Sequence, residues 1–377
     1  SIFRYDLDPD RFDLEAKGSM QPFMNPFFRG AWAPNRTKAN EEACVEGRLE
    51  KVRPPTLKIT KQMHRVMMEF VQFLVPDELA GTVHPTSYEE VLERQCKPTQ
   101  QRILEEAQMQ LPERYCKSFM KQEIYSKPAP PRCISTINGP DKRDYSKVIY
   151  AFDAVILKRQ LWYAFGKKPR AVSNRVASVC SKAGMIVSSD FSKFDGHVSN
   201  VLRELERLIL MRSFHDAYRA EVCELHSAQF GLRGVGALGT KYDSGFSRLS
   251  GSPETSSFNS IDNAFIAYYA LRMSGHEPVK AWDSLGIYGG DDGLTADVDP
   301  ELYKAVAKLV GQEMTIEPIV RGKHGVKFLA RIFGPHVWYG DVNSMCDIKR
   351  QLTKFHTTVA LPSSVTPMMK MLEKVRS

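Results

Sequence analysis

Two adjacent acids, Asp291 and Asp292, stand between glycines in SLGIYGGDDGLTADVD (284–299), with apolar residues on both sides. The pattern predicts a β-hairpin carrying the acids at its tip. Adjacent carboxylates repel each other, and a turn does not need two of them. Another acid, Asp190, ends the apolar run MIVSSD (185–190), and Asp195 follows in SSDFSKFDGHVS. If that strand lies beside the hairpin, Asp190 and Asp291 face each other across one gap. Converging carboxylates are tolerated when a cation sits among them. Oxygen ligands with room left for water and phosphate suit a hard divalent ion such as Mg²⁺. Two such ions activate an attacking hydroxyl and steady a leaving phosphate oxygen. Asp-Asp-Gly is also a common turn sequence, so the metal reading depends on other signals occurring with it and in order.

SGSPETSSFN (250–259) reads as a loop opening a helix, with Thr255 and Asn259 one turn apart on one face. These side chains suit hydrogen bonds to a sugar hydroxyl, or to Asp195 held for that purpose. A 2′-hydroxyl both donates and accepts, so an Asp/Asn pair can select ribose. The same pattern also describes an N-capping loop with a polar helix face. Upstream, RYCKSFMKQEIYSKPAPPRCIST (114–136) gathers Lys121, Glu123, Lys127 and Arg132, and its prolines stiffen the loop. Cations there suit a triphosphate, whose charge needs neutralising as it transfers. Taken alone they describe a solvated basic loop equally well.

The elements that must position these groups follow from periodicity. MIVSSD is a short strand. GHVSNVLRELERLILMRSFHDAYRAEVCELH (196–226) predicts one long amphipathic helix, with Val198, Leu202, Leu205, Leu208 and Ile209 sharing a face. A glycine-rich hairpin is predicted over 229–247. The 250–275 loop enters a helix with Ser252 or Thr255 near its cap, a further helix falls at about 300–312, and VKFLARIF reads as a strand before a Gly-Pro turn. Earlier in the chain, 57–75 is helical, 87–110 divides into two helices at Pro98 with Ser87 as an N-cap, and 146–166 reads as helix. Residues 1–56 are rich in Pro, Gly, Asn and aromatics and read as an extended, wrapping segment. The pattern as a whole predicts an α+β core sheet with helical appendages.

A chain of 377 residues has room for two or three lobes, and 42% hydrophobic with 25% charged residues is a globular balance. The formal charge of +8 points to an anionic partner, nucleic acid ahead of an acidic membrane surface. Seven cysteines with no CxxC pair argue against a disulfide framework or zinc ribbon and for a reducing compartment. The most apolar helical run, VMMEFVQFLV (66–75), carries Glu69 and Gln72 and is too short to span a bilayer. No signal peptide is evident, and a start at Ser1 rather than Met reads as a piece excised from a longer protein.

Together these residues resemble a known family. DFSKFD (190–195), SGSPETSSFN (250–259) and GGDD (289–292) resemble, in order and spacing, the palm motifs A, B and C of viral RNA-dependent RNA polymerases. KQEIYSKPAPPRCI (121–134) resembles the fingers motif F, and KFLAR (327–331) the palm–thumb motif E. The style of the motifs is most similar to positive-strand RNA viruses, nodavirus-like replicases first. The resemblance implies a right hand of fingers, palm and thumb around an RRM-like antiparallel palm sheet packed on helices. Residues 1–56 would bridge fingers and thumb, 57–180 and 227–248 would form the fingers, 181–226 and 249–335 the palm, and 336–377 a thumb that is short for the family. That short tail leaves open whether initiation needs a primer.

The resemblance also assigns roles. Asp190 and Asp291 would be the main ligands of two Mg²⁺ or Mn²⁺ ions, with Asp292 secondary. Asp195 and Asn259, assisted by Thr255, would check the ribose. Ser250 and Gly251 would lie in the loop that moves along the template. Lys121, Glu123, Lys127 and Arg132 would line the nucleoside triphosphate (NTP) channel. Lys323 would give pyrophosphate its proton, with Arg321 and Lys308 as rivals. RNA template, RNA product and NTPs are the implied partners. The parent replicases of this kind carry a capping domain and sit with other replicase domains or further copies on host cytoplasmic membranes, at the mitochondrial outer membrane.

Three other readings share some of these features. A reverse transcriptase typically blocks the 2′-hydroxyl with a bulky side chain and lacks the asparagine of the loop. A non-catalytic RNA-binding replication protein with a degenerate palm has no need of all three acids. A metal-dependent nuclease uses paired acids but does not account for SGSPETSSFN or the basic stretch.

Overall fold

The apolar run Met185–Phe191 is a strand inside a four-stranded antiparallel sheet. The computed structural model describes residues 2–8 and 20–376. Met314–Val320 flanks that strand on one side and Asp292–Ala296 on the other, with Ile287–Gly289 outermost. The register sets Thr315 opposite Asp190 and Gly293 opposite Ser189. Asp190 and the turn preceding Asp292 therefore emerge at the same end of the sheet. After the first strand and an excursion, the chain supplies helix Thr255–Met273, the hairpin, helix Pro300–Leu309 and a last strand that returns beside the first.

Side chains alternate across a strand, and here both faces are covered. Val187, Phe191 and Tyr288 join the main core with Phe70, Phe152, Leu205 and Phe265. Ile186, Ile287 and Leu294 meet Val176, Cys180 and Trp338 on the other face. Every residue of the long helix from Ser257 to Leu271 is buried. Such a helix is a fixed post rather than a surface element.

A second sheet is built from the basic stretch. Tyr115–Met120 pairs with Cys133–Thr136 and, in parallel, with Arg233–Gly236 of the glycine-rich hairpin, whose other arm is Lys241–Asp243. Helix Lys61–Leu74 and the pair Tyr88–Arg94 and Pro98–Glu106 form as the periodicity predicts, with the Ser87 hydroxyl accepting from the Glu90 N–H at 3.2 Å. The mixed content is that of an α+β protein. Among the described residues no helix is long and apolar enough to cross a membrane.

Four local readings are corrected. The single helix over 196–226 is two, Asn200–Ser213 and Arg219–Ser227. Between them Val83 donates to the Ser213 carbonyl and accepts from the His215 N–H, both at 3.0 Å, which draws Phe214 into extended backbone. The helix read at 146–166 runs Gly139–Val155, because the Asn138 side chain caps it from the Asp141 N–H at 2.9 Å. Residues 1–56 are not extended throughout. Lys38–Val45 is helical, capped by Thr37, and buried Glu41 accepts from the Leu238 and Thr240 N–H groups; residues 1 and 9–19 lie outside the described residues.

Finally, VKFLARIF is a tight hairpin, Lys327–Phe328 paired with Arg331–Phe333, not one strand. Its turn places Leu329 and Ala330 at φ 46° and 59°. Left-handed backbone strains a residue with a Cβ, so Ala330→Gly is expected to stabilise the fold by about 0.5 kcal/mol once glycine's greater chain entropy is set against the relief. Urea denaturation of the two proteins measures this; a clear loss of stability would show that the turn is unstrained.

Candidate active site

The turn that carries the acids is held from behind by the buried helix. The Gly290 N–H donates to Ser260 Oγ at 2.8 Å, and Asn263 Nδ2 donates to the Gly290 and Asp291 carbonyls at 3.1 and 3.2 Å. Gly290 takes φ 67°, and at Gly293 a Cβ would lie 2.6 Å from Ser189 Oγ. Glycine is required at both positions, once for conformation and once for close approach. Asp190 is exposed at the end of its strand, Asp291 is exposed at the turn, and Asp292 is half-buried.

Burial and the neighbouring Asp291 charge raise the Asp190 pKa above the ordinary carboxylate value. Asp292 is pushed up to about 6 by burial, then by the charges of Asp291 and Asp190; an N–H from Leu329 and the charge of Arg350 oppose this. Among the described residues no lysine, arginine or histidine forms an ion pair with any of the three acids. Oxygen-only acceptors with uncompensated charge at an open cavity are the donor set a hard divalent cation needs, so Asp190, Asp291 and Asp292 fit such an ion. A second acidic group does not. Glu206, His226 and Glu254 offer ligand atoms within 4.8 Å of one another, but Arg203 and Arg248 already ion-pair with both carboxylates.

A cavity of about 770 Å³ opens beside the acids. Among its lining residues are Asp291, Asp292, Asp195, Asn259, Thr255, Ser250, Lys121 and Arg132. Asn259 Nδ2 donates to Asp195 Oδ1 at 2.8 Å. Burial raises the Asp195 pKa, against the hydrogen bond from Asn259 and the charge of Arg248. The Thr255 hydroxyl donates to the Leu249 and Ser252 carbonyls at 2.8 and 3.0 Å, so it braces the loop. Ser250 Oγ accepts from the Ser135 N–H at 3.0 Å, and the Gly251 N–H donates to the Ser135 carbonyl at 2.8 Å, which docks the loop on the second sheet. Glu123 ion-pairs with Lys121 at 3.1 Å and with Arg132 at 3.6 Å.

Lys127 is exposed and does not line the cavity. Lys323 is displaced altogether. It follows the strand end where Val320 faces Met185, whereas Asp190 faces Thr315. Five strand positions at ~3.3 Å each put it roughly 17 Å away. Its rival Arg321 is spent on the carbonyls of Cys180, Ser181, Ala183 and Trp338. Lys308 is exposed and outside the cavity. None of these three side chains lines the cavity beside the acids, where a proton donor to pyrophosphate would have to stand.

Other residues of the site escaped the sequence reading. Ser260 and Asn263 follow Asn259 on the same helix, and their spacing was a usable signal. Arg248 stands two residues before Ser250 and also lines the cavity. Arg350 and Lys354 come from helix Ile348–Phe355. The charge of Arg350 acts on Asp292, and Lys354 is pushed down by burial, then by Arg350, Lys121 and Arg132. Nothing in their local sequence marks these two.

A model of the family described as viral RNA-dependent RNA polymerase matches residues 146–341. The chain belongs to this family. Over 374 residues it is 34% identical to the RNA-directed RNA polymerase of Atlantic halibut nervous necrosis virus, covering 96% of this chain and 37% of the relative. It is 28% identical over 296 residues to that of Macrobrachium rosenbergii nodavirus, covering 73% of this chain and 27% of the relative. The chain thus spans little more than a third of the length of the first of these curated relatives. Among solved structures, the RNA-dependent RNA polymerase of a human picorbirnavirus superposes with a TM-score of 0.72 at 13% identity, over 90% of this chain and 71% of that one. At that identity the likeness is one of fold. The nodaviral resemblance carried by the motifs agrees with the relatives.

The raised Asp292 pKa has a stability consequence. A carboxyl whose folded pKa exceeds its unfolded value stabilises the fold below the unfolded pKa, near 4, and loses that contribution as pH rises through about 6. The displacement is worth about 3 kcal/mol, which partial exposure screens to about 1 kcal/mol. In chelator at pH 7, Asp292→Asn is expected to melt higher than the parent, with the gain gone at pH 4. Added Mg²⁺ is expected to stabilise the parent more than the variant. Equal melting at pH 7 would mean that the acids do not strain the fold.

Proposed function

We propose that this chain is the catalytic core of a template-directed RNA polymerase that uses ribonucleoside triphosphates. The observation that carries the reading is the convergence on one cavity of the Asp291–Asp292 turn, the Asp195–Asn259 pair and the cations Lys121 and Arg132. In the reaction, the 3′-hydroxyl of a growing RNA attacks the α-phosphorus of an NTP, the bond to the bridging oxygen breaks, and pyrophosphate leaves. Asp190, Asp291 and Asp292 would hold two divalent ions, which when bound acidify the attacking hydroxyl and offset charge on the leaving phosphate. Lys121 and Arg132 neutralise the triphosphate, with Glu123 fixing their positions. Asp195 and Asn259 test the sugar, and Ser250 and Gly251 belong to the loop that follows the template. Arg350 and Lys354 add positive charge whose effect reaches Asp292 and the Lys121 and Arg132 side chains.

For the architecture we infer a right hand. The strand–helix–hairpin–helix–strand order, with the last strand beside the first, supports an RRM-like palm at 181–226 and 249–335. The second sheet supports fingers in 57–180 and 227–248, the pairing of Gln21–Pro22 with Thr357–Thr358 supports a bridge from the described part of 1–56 toward a small thumb at 336–377, and the likeness to the picorbirnavirus polymerase supports the same plan. From the resemblance of the motifs we infer a positive-strand RNA genome as the template. From the same resemblance of the motifs we also infer a parent replicase that works with other domains and further copies on host cytoplasmic membranes.

Labelled ribonucleotides with a short RNA template and Mg²⁺ or Mn²⁺ test the reading. The parent is expected to make product, and Asp291→Asn to lose at least about 1,000-fold. Preference for deoxynucleotides would instead indicate reverse transcription, and full synthesis by the variant would sink the catalytic assignment. Replacing both Arg350 and Lys354 by alanine is expected to raise the NTP KM about tenfold with a smaller change in kcat. An unchanged KM would remove them from the triphosphate site.

A further inference from the structure

The Asp195–Asn259 pair discriminates sugars only if the amide points the right way. A primary amide has a donor end and an acceptor end of almost the same shape. With its NH2 toward Asp195, Asn259 donates to the carboxylate and has a second N–H for a sugar oxygen. Flipped, it would set a carbonyl against a carboxylate, two acceptors in contact.

Arg248 removes that freedom. A guanidinium has five donors and no acceptor. Arg248 Nε lies 2.9 Å from Asn259 Oδ1, so the atom facing it must be the carbonyl oxygen, and Nδ2 is left for Asp195 Oδ1 at 2.8 Å. The backbone N–H of Arg248 also donates to the Asp195 carbonyl at 2.8 Å, tying the two loops together. The guanidinium itself cannot swing aside. Its other nitrogens donate to Glu254 Oε1 at 2.8 Å, Glu206 Oε1 at 2.6 Å and Asp262 Oδ2 at 2.8 Å. All of these side chains are buried.

A second ring of partners fixes those acids. Arg203 reaches Glu254 at 2.6 Å and Glu206 at 3.0 Å, His226 lies 2.8 Å from Glu206, and the Tyr145 hydroxyl donates to Glu254 at 2.6 Å. Burial alone would raise the carboxyls of Glu206 and Glu254, but the two arginines hold both below the ordinary range, so they are ionised. Burial and the Glu206 charge push Asp262 well above it, against the charges of Arg248 and Arg203. Each of the two arginines thus pairs with both glutamates, and this closed set of contacts holds the Arg248 guanidinium in place.

We propose that Arg248 is the positioning residue for ribose selection, holding the Asn259 amide in the one orientation that presents N–H groups to Asp195 and to the sugar. The inference rests on the polymerase reading above. A 2′-hydroxyl accepts from that amide and donates to Asp195; deoxyribose offers neither contact, and the pair is then left unsatisfied.

The test compares kcat/KM for ATP and dATP opposite uracil in parent, Arg248→Lys and a control, Glu69→Gln, which breaks the Glu69–Arg272 ion pair outside the cage. Lysine keeps the charge but cannot donate to Asn259 while also holding both glutamates. Arg248→Lys is expected to lower the ATP/dATP ratio about tenfold, through a higher KM for ATP with dATP little changed. Glu69→Gln is expected to keep the parent ratio. An unchanged ratio in folded Arg248→Lys, judged by its melting curve, would overturn the inference while leaving the polymerase reading intact. Should that variant fail to fold, Glu206→Gln and Glu254→Gln each loosen one anchor of the guanidinium and are expected to lower the ratio in part; parent ratios in both would equally overturn it. A parent that copies no template would overturn the function and the inference together.

Discussion

Three carboxylates are held at one sheet end against their own repulsion, and much of the structure exists to hold them there. A flexible loop would relieve the strain by swinging one acid into water. The turn cannot do so, because Ser260 and Asn263 fasten its backbone to a helix buried on all sides. Leu329, from a turn itself strained, adds an N–H to Asp292. Rigidity of this kind is what lets unpaired charge persist as a binding site instead of rearranging.

A few residues away, acids of the same chemical type meet the opposite fate. Glu206 and Glu254 are fully buried, where an isolated charge is costly. Two arginines compensate them, and every charged partner is spent on another. These acids are closed to a cation because their charge is already answered, while Asp190, Asp291 and Asp292 are open to one because theirs is not. Compensation, more than the clustering of acids, separates a structural ion network from a site. Arg248 joins the two regimes, since it belongs to the buried network and touches the side chain that faces the cavity.

Local signals carried far in this chain. The strand ending in Asp190, the acid hairpin and the Ser87 cap form where periodicity and capping chemistry set them, since each depends on neighbours within a turn or two; the helix after the SGSPETSSFN loop forms in place too, but with Glu254 at its N-cap and no side-chain cap from Ser252 or Thr255. The readings that changed depended on distant partners. The helix break at Phe214 is made by Val83, and the tight turn at Leu329 is buttressed by the hairpin it packs on. Lys323 shows the same limit from the other side. It follows the motifs closely in sequence, yet the antiparallel return of its strand carries it to the wrong end of the sheet.

The sequence by itself determined which residue types are available for chemistry and in what order they come, because side-chain type is written directly in it and three motifs occurring in order constrain one another. It also determined the α+β class, through the period of its apolar residues. Only the tertiary structure decided which cations reach the acids, that Thr255 braces a loop, and that Arg248 sets the orientation of Asn259. Those outcomes depend on distances between segments far apart in the chain, and a one-dimensional pattern holds no information about a distance until the backbone has closed around it.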